Sequence, residues 1–200
     1  MPDLWYKRNL GGSDLALINI EHPSIHRRVM AEIDAGIDVY YDRRWEATER
    51  FGELLHRDPA LVAGKRVLIL GAGAGLEAIV IGKLCSKLYV NDLAPVSLEL
   101  CAEQLDKNGI KNYETLPGCY ETLDIPNVDL IVGCFIIYNR ETRQAMAQVL
   151  DNATAPILLV NEELDVFRAL IRQTDRRADY IEIDDGPTVV TLTQAAERVA

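Results

Sequence analysis

Val67-Leu68-Ile69-Leu70-Gly71-Ala72-Gly73-Ala74-Gly75-Leu76-Glu77-Ala78 is an apolar run that ends in three glycines within five positions and continues into a helix-forming segment. A strand that turns through glycines into a helix brings backbone N–H groups and the positive end of the helix dipole to one bare spot, where a ligand can lie against the main chain. The spacing discriminates between ligands. The dinucleotide fingerprint G-x-G-x-x-G needs a small residue where Leu76 stands, and a phosphate-binding P-loop ends in Lys and Ser/Thr where this chain continues Leu76-Glu77-Ala78. The pattern here is G-x-G-x-G, which disfavours a phosphate-led ligand.

Outward from the glycines, strand-like apolar runs alternate with helical patterns. Residues 67–70 lead to a helix over about 76–84, residues 87–91 to one over about 96–108, and strands at 112–116, 128–133 and 156–160 follow, with helices over about 141–150 and 162–173 between and after them. Such alternation predicts an α/β, Rossmann-like, doubly wound and mostly parallel sheet. The last two runs, 179–183 and 188–193, are separated by only Asp184-Asp185-Gly186-Pro187. That link is too short for a parallel crossover, so the seventh strand closes the sheet as a C-terminal antiparallel hairpin.

A second clue closes the next strand. Asn91-Asp92 lies about 20 residues beyond the first glycine. The carboxyl ends of adjacent parallel strands line one crevice, so Asp92 is expected beside the glycine turn, where a carboxylate can accept both hydroxyls of a ribose. Together the two elements predict an adenosine-bearing ligand without a pyrophosphate.

Residues 1–60 read as an N-terminal helical extension and 61–200 as the ligand-binding domain. Ser24 is placed to cap a helix ending before Gly36, with Ile25, Val29 and Ile33 on one face; a second helix over 43–56 carries Trp45, Thr48, Phe51 and Leu55 at helical spacing until Asp58-Pro59.

Composition narrows the classes of function. Of 200 residues 48% are hydrophobic, enough for a sizeable core, and the net charge is −10. Residues 1–66 carry ten Lys or Arg against eleven Asp or Glu, so the excess of acid lies in 67–200, with eleven against twenty. That balance disfavours nucleic acid and anionic membranes and suits a basic or neutral partner. No run is long enough to span a bilayer and the start lacks the apolar stretch of a signal peptide, so a cytoplasmic location is expected. Cys85, Cys101, Cys119 and Cys134 show no metal-ligand spacing and read as reduced thiols. His22 and His26 are four apart, but Pro23 puts His22 outside the helix, and no metal site is expected.

The elements GAGAG, VNDLAP and a terminal antiparallel hairpin resemble class I methyltransferases that use S-adenosylmethionine (AdoMet). WEATERFGELLHRDPALVAGKRVLILGAGAGLEA followed by VNDLAP is similar to the branch containing the electron-transfer-flavoprotein lysine methyltransferase and nicotinamide N-methyltransferase-like proteins, over roughly residues 45–195. The resemblance implies that Gly71, Ala72, Gly73 and Gly75 wrap the methionine part of the cofactor, that Asn91 and Asp92 bind it with Asp92 on the ribose, and that Leu93 flanks the adenine. It also places Trp45 near the cofactor and Cys119 and Tyr120 around the adenine, with Cys134 as a further cofactor-binding candidate, the neighbour of the D-x-x-Y acid position if the loop is shifted. Tyr138 matches the tyrosine of a D-x-x-Y element at the active-site mouth. The implied reaction is N-methylation of a protein lysine or a small amine.

Three acids of the family pattern are replaced. Ile69 stands where the strand before the glycines usually ends in Asp or Glu, Phe135 stands at the acid of D-x-x-Y, and Gly118-Cys119-Tyr120 offers no carboxylate to the adenine. Ile136 and Ile137 before Tyr138 also exclude the Asn/Asp-Pro-Pro-Tyr element of adenine and glutamine methyltransferases. The missing acids leave a catalytically degenerate cofactor-binding or scaffold protein as the alternative, and a nicotinamide-dependent oxidoreductase as a weaker third.

Overall fold

The computed structural model describes residues 3–10, 13–37, 39–40, 46–162, 165–181, 183 and 187–194. A two-stranded antiparallel ribbon, β1 (Trp5–Leu10) and β2 (Ser13–Ile18), precedes helices α1 (Pro23–Asp34) and α2 (Glu46–Arg57). Then come β3 (Arg66–Leu70), α3 (Leu76–Gly82), β4 (Lys87–Asp92), α4 (Pro95–Lys107), β5 (Tyr113–Pro117), β6 (Leu130–Cys134), α5 (Arg140–Asn152), β7 (Ile157–Asn161), α6 (Asp165–Gln173), β8 (Arg177–Ile181) and β9 (Thr188–Thr193). Strands β3 to β9 form one seven-stranded sheet in the order β5-β4-β3-β6-β7-β9-β8. The first five run parallel, whereas β9 lies antiparallel to both β7 and β8. This is the doubly wound sheet with a terminal hairpin that the alternation predicts.

The apolar character of β3 follows from burial on both faces. Val67 and Ile69 point to one side, into a core with Phe51, Leu55, Ile79 and Leu105 from α2, α3 and α4; Leu68 and Leu70 point to the other, with Met146, Val149, Phe167 and Leu170 from α5 and α6. Each such side chain contributes roughly 1.5–3 kcal/mol when fully buried.

The N-terminal segment contains more than helices. The ribbon is held on α4 by two side chains: Ile18 N–H donates to Gln104 Oε1 at 2.8 Å, and Asn108 exchanges bonds with the Ala16 N–H (3.0 Å) and carbonyl (2.8 Å). The start of α1 also differs from expectation. Pro23 takes the first helical position, where its fixed φ fits and its missing N–H costs nothing, so the cap is His22 and not Ser24. His22 Nδ1 accepts the Ser24 N–H at 3.2 Å. Gly36 then follows the helix with φ +81°, as a stop should.

Candidate functional site

Strand order reverses at β3: the chain passes to β4 and β5 on one side and returns to β6 on the other. Open α/β sheets bind ligands in the crevice at the carboxyl ends of the strands flanking such a point. Here that crevice holds about 590 Å³, within the range of small-molecule sites, and Gly71, Ala72, Gly73, Gly75, Asp92, Leu93, Cys119, Tyr120, Cys134 and Tyr138 all line it. Trp45, expected in the same place, lies outside the described residues.

The glycine turn needs its glycines for two reasons. Gly71, Gly73 and Gly75 have φ of +60°, +53° and +90°, a region that side chains disfavour. In addition, a Cβ on Gly71 would stand 2.6 Å from Ile136 Cγ2, and one on Gly75 would stand 2.5 Å from Cys101 Sγ. Part of the bareness therefore serves the protein's own packing. The turn is braced by the Ala72 N–H donating to Asn91 O at 2.9 Å, by the Ser97 hydroxyl donating to Gly73 O at 2.8 Å, and by the Gln104 amide donating to Ala74 O.

Asp92 is both a brace and a lining residue. Its carboxylate accepts the Gly73 N–H at 2.8 Å and the Ala94 N–H at 3.0 Å, while burial raises its pKa above the ordinary carboxylate range. Asn91 departs from the expectation of ligand contact. It is completely buried and lies behind the crevice wall, its amide donating at 2.8 Å to both Leu116 O and Gly118 O. It ties β4 to the loop after β5.

The far wall comes from β6 and the loops after β5 and β6. Leu93 is exposed, Cys119 and Tyr120 are half-buried at a short helical turn, and burial raises the pKa of the Cys134 thiol well above its ordinary value. Phe135 has φ +56°, a rare conformation for a bulky side chain, and its N–H donates to Val160 O at 2.8 Å. Tyr138 stands at the rim just before α5, which is capped by Asn139 and Thr142, and its ring meets that of Tyr40 at 5.0 Å between centroids.

Several lining residues escape a motif search. Tyr6, Leu17 and Ile18 come from the ribbon, and Thr48 and Glu49 from α2, with Glu49 paired to Arg8 of β1. The signal for the ribbon was present: Gly11-Gly12 between two β-prone runs is a two-residue hairpin sequence. The titratable side chains of the crevice include several carboxyl groups. Glu49, Glu77, Asp92, Glu121 and Glu141 line it, and among its described lining residues there is no Lys, Arg or His. A cationic or neutral ligand fits such a wall, and a polyanion is repelled.

Comparison with known proteins agrees with this geometry. No family model matches the chain. It is 31% identical over 121 residues to the Danio rerio protein N-lysine methyltransferase METTL21A, covering 56% of this chain and 54% of that protein. It is 28% identical over 117 residues to the Mus musculus electron transfer flavoprotein beta subunit lysine methyltransferase, covering 58% of this chain and 46% of that protein. The chain thus spans about half the length of the curated relatives it matches. Among solved structures, T. thermophilus 16S rRNA methyltransferase RsmC, in complex with AdoMet and guanosine, superposes with a TM-score of 0.70 at 15% identity, covering 97% of this chain and 52% of that one. A SAM-dependent methyltransferase from Aquifex aeolicus gives 0.57 at 19% identity, covering 70% and 88%. The fold is the Rossmann-like fold of these methyltransferases.

Proposed function

We propose that the chain is an AdoMet-dependent methyltransferase whose acceptor is a basic nitrogen, a lysine side chain of a protein. The observation that carries this reading is the crevice at the strand-order reversal, where the glycine turn braced by Asp92 opens onto carboxylates and tyrosines with no cation among the described lining residues. The residues fit the cofactor. The turn approaches the methionine end, Asp92 offers its carboxylate to the ribose, and Leu93, Cys119 and Tyr120 form a largely apolar slot for a flat base. The two curated relatives named as lysine methyltransferases support the same acceptor class.

The bound cofactor supplies an electrophilic methyl group on a sulfonium. The chain's own residues must then hold the amine in line, strip it of water and let its proton leave, because a lysine is mostly protonated at neutral pH. Glu121 and Glu141 at the crevice attract the ammonium, and the ring faces of Tyr40 and Tyr138 offer it a desolvated seat at the rim. RNA is the acceptor of some proteins with this fold, and the acidic lining argues against it here. Among the described residues no helix is long and apolar enough to cross a membrane. Four free cysteines support a reducing compartment such as the cytoplasm.

Phe135 at the family's acid position favours a second reading, a cofactor-binding protein without turnover. One experiment separates the two: incubation of the chain with methyl-labelled AdoMet and a lysate, native or with its lysines blocked by reductive dimethylation. Label on protein in the native lysate alone is expected. Calorimetric binding of AdoMet without label in either lysate favours the second reading, and ribonuclease-sensitive label assigns the acceptor to RNA.

A further inference from the structure

Glu77 is the buried titratable group that none of the roles above uses. It stands in the first turn of α3, directly behind the glycine turn, is only 6% exposed, and lines the crevice. Its carboxyl accepts its own backbone N–H, and among the described residues no cation pairs with it. A glutamate in the first turn of a helix serves the helix dipole from the surface as well as from within. Burial is therefore unexplained by that role, since an ionised carboxylate without a counter-charge is costly to bury. Ile69, by contrast, is fully buried in the core beneath and does not reach the crevice.

Taking AdoMet as the ligand, on which this inference rests, its methionine end brings an ammonium to the glycine turn and needs an anion there. We propose that Glu77 is that anion: the residue that receives the cofactor's ammonium in place of the strand-end acid that Ile69 has replaced. Asp92 of β4, Cys101 of α4 and Cys134 of β6 are the titratable groups that act on or feel Glu77, and Glu49 of α2, paired to Arg8, lines the same crevice. The groups that act on or feel Glu77 are all acids and Arg8 is paired to Glu49, so none of them gives Glu77 a counter-charge. Burial, with a smaller contribution from Asp92, pushes the Glu77 carboxyl up to about 8, so it carries a proton at neutral pH until a cation arrives. Arrival of the ammonium ionises it and one proton passes to buffer. Affinity for the cofactor then rises with pH up to about 8.

The test compares S-adenosylhomocysteine with 5′-methylthioadenosine, which keeps the nucleoside and lacks the amino-acid arm, by calorimetry on the full chain. Glu77→Gln is expected to weaken S-adenosylhomocysteine binding roughly tenfold or more, the loss of one charged hydrogen bond, and to leave methylthioadenosine within about twofold. Titrations near pH 7 in buffers of different ionisation enthalpy should show the wild type releasing about one proton with the first ligand and none with the second. Equal affinities of wild type and variant for both ligands, or equal weakening of both, overturn the proposal while leaving the cofactor reading standing. Should the variant fail to fold, the wild-type proton count decides alone, and its absence overturns the proposal. Failure of the wild type to bind either ligand overturns the cofactor reading itself.

Discussion

Gly73 and Asp92 meet across the ends of two neighbouring strands, the Gly73 N–H donating to Asp92 Oδ2 at 2.8 Å. The bond joins the two sequence elements that define the crevice, so the acid that lines it also fixes the glycine turn beside it. Asp92→Asn keeps one acceptor oxygen and puts an NH2 group in place of the other, so either the Gly73 or the Ala94 N–H loses its acceptor, and the charge proposed to meet the ribose is removed. Loss of buried acceptors costs about 1–3 kcal/mol, and a comparable loss is expected in ligand binding. S-adenosylhomocysteine affinity should fall at least tenfold and exchange of the Gly73 or the Ala94 amide should accelerate, read by calorimetry and by NMR. Weaker binding with unchanged amide exchange would restrict Asp92 to ligand contact.

Glu77 also makes stability depend on pH. Its carboxyl lies near 8 in the folded chain against an ordinary 4.5, so between those values the folded state holds a proton that the unfolded chain has lost. Stability from this group is fully present below about 4.5 and declines as pH rises to about 8, by roughly 1.4 kcal/mol per pH unit at the steepest. Glu77→Gln removes the dependence. The variant should be more stable than wild type at pH 8 and differ little from it at pH 4.5, as urea unfolding at the two values would show; equal stabilities at pH 8 contradict the buried protonated state.

The sheet was legible because its strands are buried on both faces, and continuous runs such as Val67–Leu70 admit few other readings once glycines bound them. The hairpin followed from the brevity of the link before Thr188. The crevice was legible at Gly71–Gly75 and Asp92, where backbone chemistry narrows residue choice. Tyr6, Tyr40 and Glu49 were not, since they reach the site by packing of the ribbon, of the segment after α1 and of α2, and no local spacing encodes that distance. Asn91 misled for a related reason. Alternation along a strand sends neighbours to opposite faces, so a residue beside the crevice-lining Asp92 points away from the crevice. His22 displaced Ser24 as cap because Pro23 takes the first helical position, two residues earlier than a Ser24 cap would allow.

Gly71 is constrained from two directions, by φ +60° and by Ile136, whose Cγ2 lies 2.6 Å from the place of a Cβ. Gly71→Ala should destabilise by about 1–3 kcal/mol from the backbone conformation alone, with the clash adding to it. Ile136→Ala relieves the clash and leaves the conformation unchanged. A double-mutant cycle in urea should give a favourable coupling of about 0.5–3 kcal/mol. Strict additivity would show that Ile136 moves aside without cost.

Tyr138 brings two separable properties to the rim, a ring face and a hydroxyl, and its contact with the Tyr40 ring fixes which of them can matter. With centroids 5.0 Å apart and planes at 44°, the two rings form an angled aromatic wall against which an ammonium or a lysine stem can lie. Such a wall acts through its faces, so Tyr138→Phe preserves it and Tyr138→Ala opens it. A cation–ring contact at a partly exposed site contributes about 0.5–2 kcal/mol, which corresponds to a two- to thirtyfold change. In steady-state kinetics on a methyl-accepting protein, Tyr138→Phe should keep kcat/KM within about twofold of wild type, whereas Tyr138→Ala should lower it by the larger factor. S-adenosylhomocysteine affinity should barely change in either variant if the wall serves the acceptor and not the cofactor. A loss in Tyr138→Phe equal to that in Tyr138→Ala would shift the role from the ring to the hydroxyl, and with it from seating the amine to orienting it by a hydrogen bond.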